Sequence, residues 1–237
     1  MVPVSARHAT SQGFGFMKAE QVLFFAVVAL AYVVPLRASA DNHLDFGLRL
    51  GYGAPLGVVA LANNDGHSSI KLSDQFDGEF SPLWIDASYG FTSNLSVGLY
   101  FSYAIMFVAA DCSGPVSCSA DDTRVGLQAR YRVQPERPVD LWFGVSLGYD
   151  WANTAVSARG VKTHLTLRGF DFLGVQAGLD FRVADALRVG PFVGMSIGEY
   201  TNASGSGFGQ ASGGSIENKA IHEWLFVGVA GECRLGL

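Results

Sequence analysis

The residues best suited to chemistry in this sequence are arginines and carboxylates set at alternate positions of short apolar segments. Arg49, Arg124, Arg130, Arg132, Arg182, Arg188 and Arg234 recur on the same parity as Asp45, Asp86, Asp140, Asp150, Asp180 and Glu232 within their segments. Alternate residues of a strand share a face, so both signs would line one surface. A guanidinium pairs bidentately with carboxylates and gives up its hydration more easily than an ammonium. The lysines of the same region, Lys71, Lys162 and Lys219, fall in connecting stretches instead. The chemistry implied is ion pairing inside the fold, for structure first and for selective passage second.

Other candidates carry less. Cys112 and Cys118, six apart, are expected to form a disulfide in an oxidising compartment. No histidine accompanies them, so no metal site and no cofactor are expected. Cys233 falls on an apolar parity and reads as a small hydrophobe. For hydrolysis, His164, or His222 with Glu223, could join Ser157 or Ser215, but no motif links them and G-x-S-x-G is absent. An enzyme is not expected. Residues Ser204 to Ser215 (SGSGFGQASGGS) read as a low-complexity loop without phosphate-binding spacing. Asn63, Asn64, Asp65, Asp74, Asp77 and Glu79 form an acidic stretch suited to Ca²⁺ or an external partner, but better read as solvated loop. A net charge of −5 disfavours nucleic acid.

The elements that would position these residues follow from composition and period. The 237 residues are 49% hydrophobic and only 16% charged, with 29 glycines, which excludes a disordered chain or a coiled coil. Val22 to Val34 is an apolar run, too short to span a bilayer as a helix, preceded by Lys18 and followed by Ala38-Ser39-Ala40. That is the pattern of a secretory signal peptide. The expected organisation is a non-native extension at 1–16, a signal peptide at 17–40 with translation starting at Met17 and cleavage near Ala40, and one domain at 41–237.

Within that domain the apolar residues alternate. Leu44–Tyr52, Leu83–Phe91, Leu95–Tyr103, Val125–Val133, Val139–Trp151, Leu173–Val183, Leu187–Ile197 and Leu225–Leu237 all show period two. Each is about the 9–11 residues of a tilted membrane strand. Short connections at 92–94, 134–138 and 184–186 alternate with long ones at 53–82, 104–123, 152–172 and 198–224. An up-and-down antiparallel sheet then collects its long loops at one end, as outer-membrane barrels do. Tyr52, Tyr103, Tyr149 and Trp151 fall towards the external ends of the outward face, and Phe91, Tyr131, Phe143 and Phe181 towards the periplasmic ends. These predict two aromatic girdles at the lipid boundaries.

With these features the chain resembles the small eight-stranded outer-membrane barrels of the OmpA/OmpX/OmpW-like group, across Asp41 to Leu237. The resemblance implies an all-β, eight-stranded, antiparallel, up-and-down transmembrane barrel in the outer membrane of a Gram-negative bacterium. One departure is the terminal Leu237, where that group usually ends in an aromatic residue.

Eight strands enclose an interior that side chains can fill. Inward glycines leave room for the arginines and for Tyr100, Trp142, Phe192, Trp224 and Phe226. A tight turn would set Arg132 against Asp140. First-to-last closure would bring Arg234 to Asp45 and Glu232 to Arg49. The expectation is a monomeric barrel with a filled, ion-paired lumen, surrounded by outer-membrane lipid and acting through structure or through an external ligand or partner at its long loops. The alternative is a narrow channel for small or apolar solutes, with Trp84, Tyr100 and Trp224 at its entry.

Overall fold

A computed structural model describes residues 42–61, 69–109, 112, 115–158, 160–207 and 210–236. The proposed extension and signal peptide, Asn63 to Asp65, His67 and Leu237 lie outside the described residues. The strands are β1 (His43–Leu61), β2 (Ser69–Lys71), β3 (Phe76–Gly90), β4 (Leu95–Val108), β5 (Val116–Arg132), β6 (Val139–Ala158), β7 (Val161–Arg182), β8 (Leu187–Gly207), β9 (Gln210–Ser215) and β10 (Ile221–Gly236). All pairings are antiparallel, and β10 pairs with both β8 and β1, so β1, β3 to β8 and β10 close into an eight-stranded barrel. Closure satisfies the hydrogen-bonding edges that an open sheet would expose. Short β2 and β9 extend β1 and β8 beyond the barrel wall.

Alternation places the chain inside out. Leu48, Leu50, Leu99, Leu127, Val193, Val227 and Val229 point outward and are exposed, Leu99 by 64%. Arg49, Asp86, Arg130, Trp142, Phe192 and Glu232 point inward and are buried. A continuous apolar exterior of this extent is far larger than the apolar patches that monomers in water expose. The packed core is the barrel lumen.

The connections differ from the expected loops at one end. The turns at 91–94, 133–138 and 183–186 are short, closed by bonds such as Val133 N to Leu141 O at 2.9 Å and Val183 N to Leu187 O at 3.0 Å. At the opposite end, residues 152–172, expected as loop, are mostly strand: β6 and β7 pair as far as Ala158 opposite Val161. Gly160, with φ 81°, takes the left-handed conformation in that hairpin's tip. The glycine–serine stretch also pairs, Asn202 opposite Ser215 through Gly207 opposite Gln210. The reason is visible in the outward parity of β6. Tyr149 and Trp151 are followed by Asn153, Ala155 and Ser157, so the ladder continues after the apolar signal stops. Polar cross-strand contacts take over there: Asn153 Nδ2 donates to Asp121 Oδ2 at 2.9 Å, and Thr166 Oγ1 to Asn153 Oδ1 at 3.0 Å.

The aromatic residues of the expected girdles lie on the outer face. Tyr52, Tyr103, Phe91, Phe143 and Phe181 are exposed, while Tyr149, Trp151 and Tyr131 are half-buried. Tyr149 and Trp151 pack edge to face at 4.7 Å, and Tyr52 stacks on Phe107 at 6.5 Å. Trp151 sits within β6, well short of its end at Ala158, because the strand runs on into the hairpin.

Candidate functional site: the charged interior

The interior charges divide into two groups. Near the short turns, the registers of β6–β7 and β7–β8 place like charges directly opposite one another: Asp140 faces Asp180, and Arg182 faces Arg188. Such pairs repel. Arg132 resolves the first. Its Nη1 donates to Asp140 Oδ2 at 3.1 Å and to Asp180 Oδ2 at 2.8 Å, while Nη2 holds Glu232. Trp142 Nε1 completes Asp180 at 3.0 Å. The Pro135 carbonyl resolves the second, accepting from Arg182 Nη2 at 2.6 Å and from Arg188. Arg182 is half-buried at the barrel mouth and meets this carbonyl rather than a carboxylate, since its neighbours there are Arg188 on β8 and Pro138 in the turn before β6. Arg234 Nε reaches Asp45 Oδ1 at 3.0 Å across the closing seam, where the two residues are register partners.

Glu232 does not meet Arg49. It takes Arg130 and Arg132 across the lumen, and Arg49 donates to Asp86 Oδ1 at 2.6 Å, Gln128 Oε1 at 2.7 Å and Gln176 Oε1 at 2.6 Å. Asp86 is the reason. Its carboxylate lies over Gly47, in space a side chain there would fill, and takes the Arg49 guanidinium itself. Gln128 and Gln176 belong to the network but carry little signal in the sequence, being uncharged amides on a glycine-rich parity.

An aromatic layer occupies the middle. The Trp84 ring lies 6.2 Å from Tyr100, 5.8 Å from Phe192 and 5.7 Å from Phe226, with the Arg49 guanidinium 4.9 Å from its centroid. Trp84, Tyr100 and Trp224, expected at an external entry, are buried instead. The strands continue past them, so they stand inside the wall rather than at its rim. The space left beside this layer, among Trp84, Tyr100, Arg124, Asp171, Gln176 and Phe226, is a cavity of about 20 Å³. That is roughly room for one water.

The second charged group lies above that layer, towards the long hairpins. Arg124 donates bidentately to Glu79, with Nη1 to Oε1 at 2.7 Å and Nη2 to Oε2 at 3.0 Å, and contacts Asp122. Its Nε is 3.8 Å from Asp150 Oδ2 and 3.7 Å from Asp171 Oδ2. Its guanidinium carbon lies 5.5 Å from the Trp224 ring and 5.3 Å from the Phe226 ring. Of this group the sequence signal caught only Arg124 and Asp150. Glu79, Asp122, Asp171 and His222 fell in expected loops, yet they sit on β3, β5, β7 and β10 with buried side chains. Glu79 is therefore not part of a solvated acidic loop.

The remaining candidates do not all separate: Ser157 and His164 line one pocket on the β6–β7 hairpin. Cys112 and Cys118 form a disulfide, and Cys233 is a free, half-buried thiol. His164 is exposed on β7 and His222 is sealed inside, whereas Ser215 ends the exposed β9 hairpin. No helix among the described residues is long and apolar enough to cross a membrane, which leaves crossing by strands untouched.

No protein-family model matches the sequence, and no curated protein matches it either. Solved structures do. A major outer membrane protein from Thermus thermophilus aligns over 81% of this chain and 99% of its own, with a TM-score of 0.50 at 12% identity. The fold is that of the small outer-membrane barrels. OprG from Pseudomonas aeruginosa aligns over 84% and 97% of the two chains, with 14% identity and a TM-score of 0.49. Neisserial surface protein A aligns over 78% and 95%, with 16% identity and a TM-score of 0.43. At these identities the likeness concerns architecture.

Proposed function

We propose that this chain is an integral outer-membrane barrel of a Gram-negative bacterium with a filled, ion-paired lumen, serving as a structural or surface-interaction protein. Residues 17–40 act as its signal peptide, and the barrel stands as a monomer in lipid. One observation carries this reading. Across the lumen, the clasp around Arg132, the Trp84 layer and the Arg124 group follow one another, and the gap beside the layer holds about 20 Å³. An ion would have to displace buried, charge-assisted contacts, and breaking such pairs costs about 3–5 kcal/mol each. The external work then falls to the paired hairpins β6–β7 and β8–β9, whose polar faces project beyond the apolar band.

Planar-bilayer recording from the purified barrel tests this. Insertion without resolved conductance steps is expected, together with no uptake of apolar solutes by proteoliposomes. A steady single-channel conductance, or solute entry without current, would overturn the filled lumen and favour a narrow channel.

A further inference from the structure

The Arg124 group is short of positive charge. Glu79, Asp122, Asp150 and Asp171 all face this one guanidinium, and among the described residues no other Lys or Arg makes an ion pair with any of the four. All four are buried. Uncompensated charge inside a low-dielectric interior is costly, so something must neutralise the surplus. The group near the turns has no such deficit, since arginines there match or outnumber carboxylates.

His222 indicates what the neutralising species is. Its imidazole is fully buried, stacked 4.1 Å from the Tyr200 ring, and neither ring nitrogen has a hydrogen-bond partner. Nε2 points between two carboxylates, 3.9 Å from Asp150 Oδ2 and 3.9 Å from Asp171 Oδ1. Both Asp150 oxygens and Asp171 Oδ1 also lack hydrogen-bond partners. One donor atom from each of Asp150, Asp171 and His222 lies within 4.8 Å of the others. Ligands bound to one ion at 2.0–2.6 Å stand roughly 3–4 Å apart, so small side-chain shifts would close this triangle. Gly198 keeps the approach open: a side chain there would fill the space at Asp171 Oδ1 and His222 Nε2.

We propose that Asp150, Asp171 and His222 bind a divalent transition-metal ion of the Zn²⁺ or Mn²⁺ class inside the barrel, on its hairpin side. An imidazole nitrogen with two carboxylates suits borderline Zn²⁺, and the two carboxylates suit Mn²⁺, whereas Ca²⁺ and Mg²⁺ take oxygen donors alone. The ion offsets the carboxylate surplus and ties β6, β7 and β10 together. The site holds whether or not the lumen conducts.

The test folds the full barrel into detergent micelles with equimolar Zn²⁺, dialyses it against metal-free buffer and counts retained metal. About one Zn²⁺ per chain is expected, because metal taken up during folding is held by the folded state. Mg²⁺ added in excess should not displace it. The variants H222A and D171N should each lower Zn²⁺ affinity at least ~10-fold, a loss in the range that ligand and support changes produce. H164A should retain the metal. Wild-type protein with Mn²⁺ gives a readout independent of variant folding: the His222 ring resonances should broaden selectively. A wild-type barrel that retains no Zn²⁺ would overturn the site and leave protons as the neutralising species. Retention unchanged in folded H222A, or Mn²⁺ broadening that spares His222, would overturn it equally.

Discussion

Arg132 offers the most severe test of the interior, because one guanidinium there serves three carboxylates. Replacing it by alanine leaves Asp140 and Asp180 opposed in register and Glu232 with only Arg130. Leaving one buried charge unpaired costs about 3–5 kcal/mol, and a bond to a charged group is worth about 1.5–3 kcal/mol. The strain concentrates on the Asp140–Asp180 pair, so R132A is expected to lose about 3–5 kcal/mol. With a urea slope near ~2 kcal/mol/M, the unfolding midpoint falls by about 1.5–2.5 M. Tryptophan fluorescence in lipid vesicles reads this directly, since Trp142 donates to Asp180. A second substitution sharpens the test. D180N should destabilise the wild type, where it weakens a satisfied contact, but should stabilise R132A, where it removes one of two repelling charges. For scale, K219A breaks a pair at 3.3 Å whose side chains are 41% and 34% exposed, and should cost less than about 1 kcal/mol. A midpoint for R132A that matches K219A, or a D180N that destabilises both backgrounds alike, would refute the clasp.

Two further outcomes follow from position. Leu99 stands in the apolar band, so L99R should cost about 2–4 kcal/mol in bilayers, whereas S157R, on the hairpin beyond Trp151, should cost about 0–1 kcal/mol; comparable urea midpoints for the two would misplace the lipid boundary. Gly178 lies beneath the Trp142 ring, where any side chain would overlap it, so G178L should cost about 1–3 kcal/mol and shift the Trp142 emission; an unchanged spectrum and midpoint would mean that the ring is not packed as described.

The architecture was legible because an apolar outer face with a filled interior imposes a strict rule. Within the band each outward residue must be apolar, and the period-two pattern from Leu44 to Tyr52 or Val139 to Trp151 records it residue by residue. Above the band the rule lapses. Asn153 to Ser157 pairs as strand with Asn153, Ala155 and Ser157 on its outer face, and the alternation of Thr163 to Arg168 rests on Leu165 and Leu167 alone, too short a signal to separate either from loop. The same lapse hid half of the interior. Glu79, Asp122, Asp171 and His222 belong to strand portions without a readable alternation, and Asp171 also adjoins a register shift that upsets simple parity. Across-lumen partners were harder still. Neighbours along the seam, such as Asp45 and Arg234, follow from closure, but Glu232 with Arg130 depends on side-chain length across the barrel and on Asp86 filling the space over Gly47.

The seam between β1 and β10 has a consequence for biogenesis. The first and last strands of the domain are partners, so the ring cannot shut until the final stretch of chain has arrived. That same stretch brings Glu232, the shared acceptor of Arg130 and Arg132, together with Arg234 for Asp45 and His222 for the upper acidic group. Before it docks, the nascent sheet has two raw borders, Arg130 and Arg132 lack Glu232, and Asp45 lacks Arg234. Its docking pairs both borders and delivers the Glu232 and Arg234 partners in one step, while the carboxylate surplus around Arg124 remains. Completion is thereby made all-or-none, and a chain truncated before β10 would remain a substrate for quality-control proteolysis instead of a leaky, half-built ring.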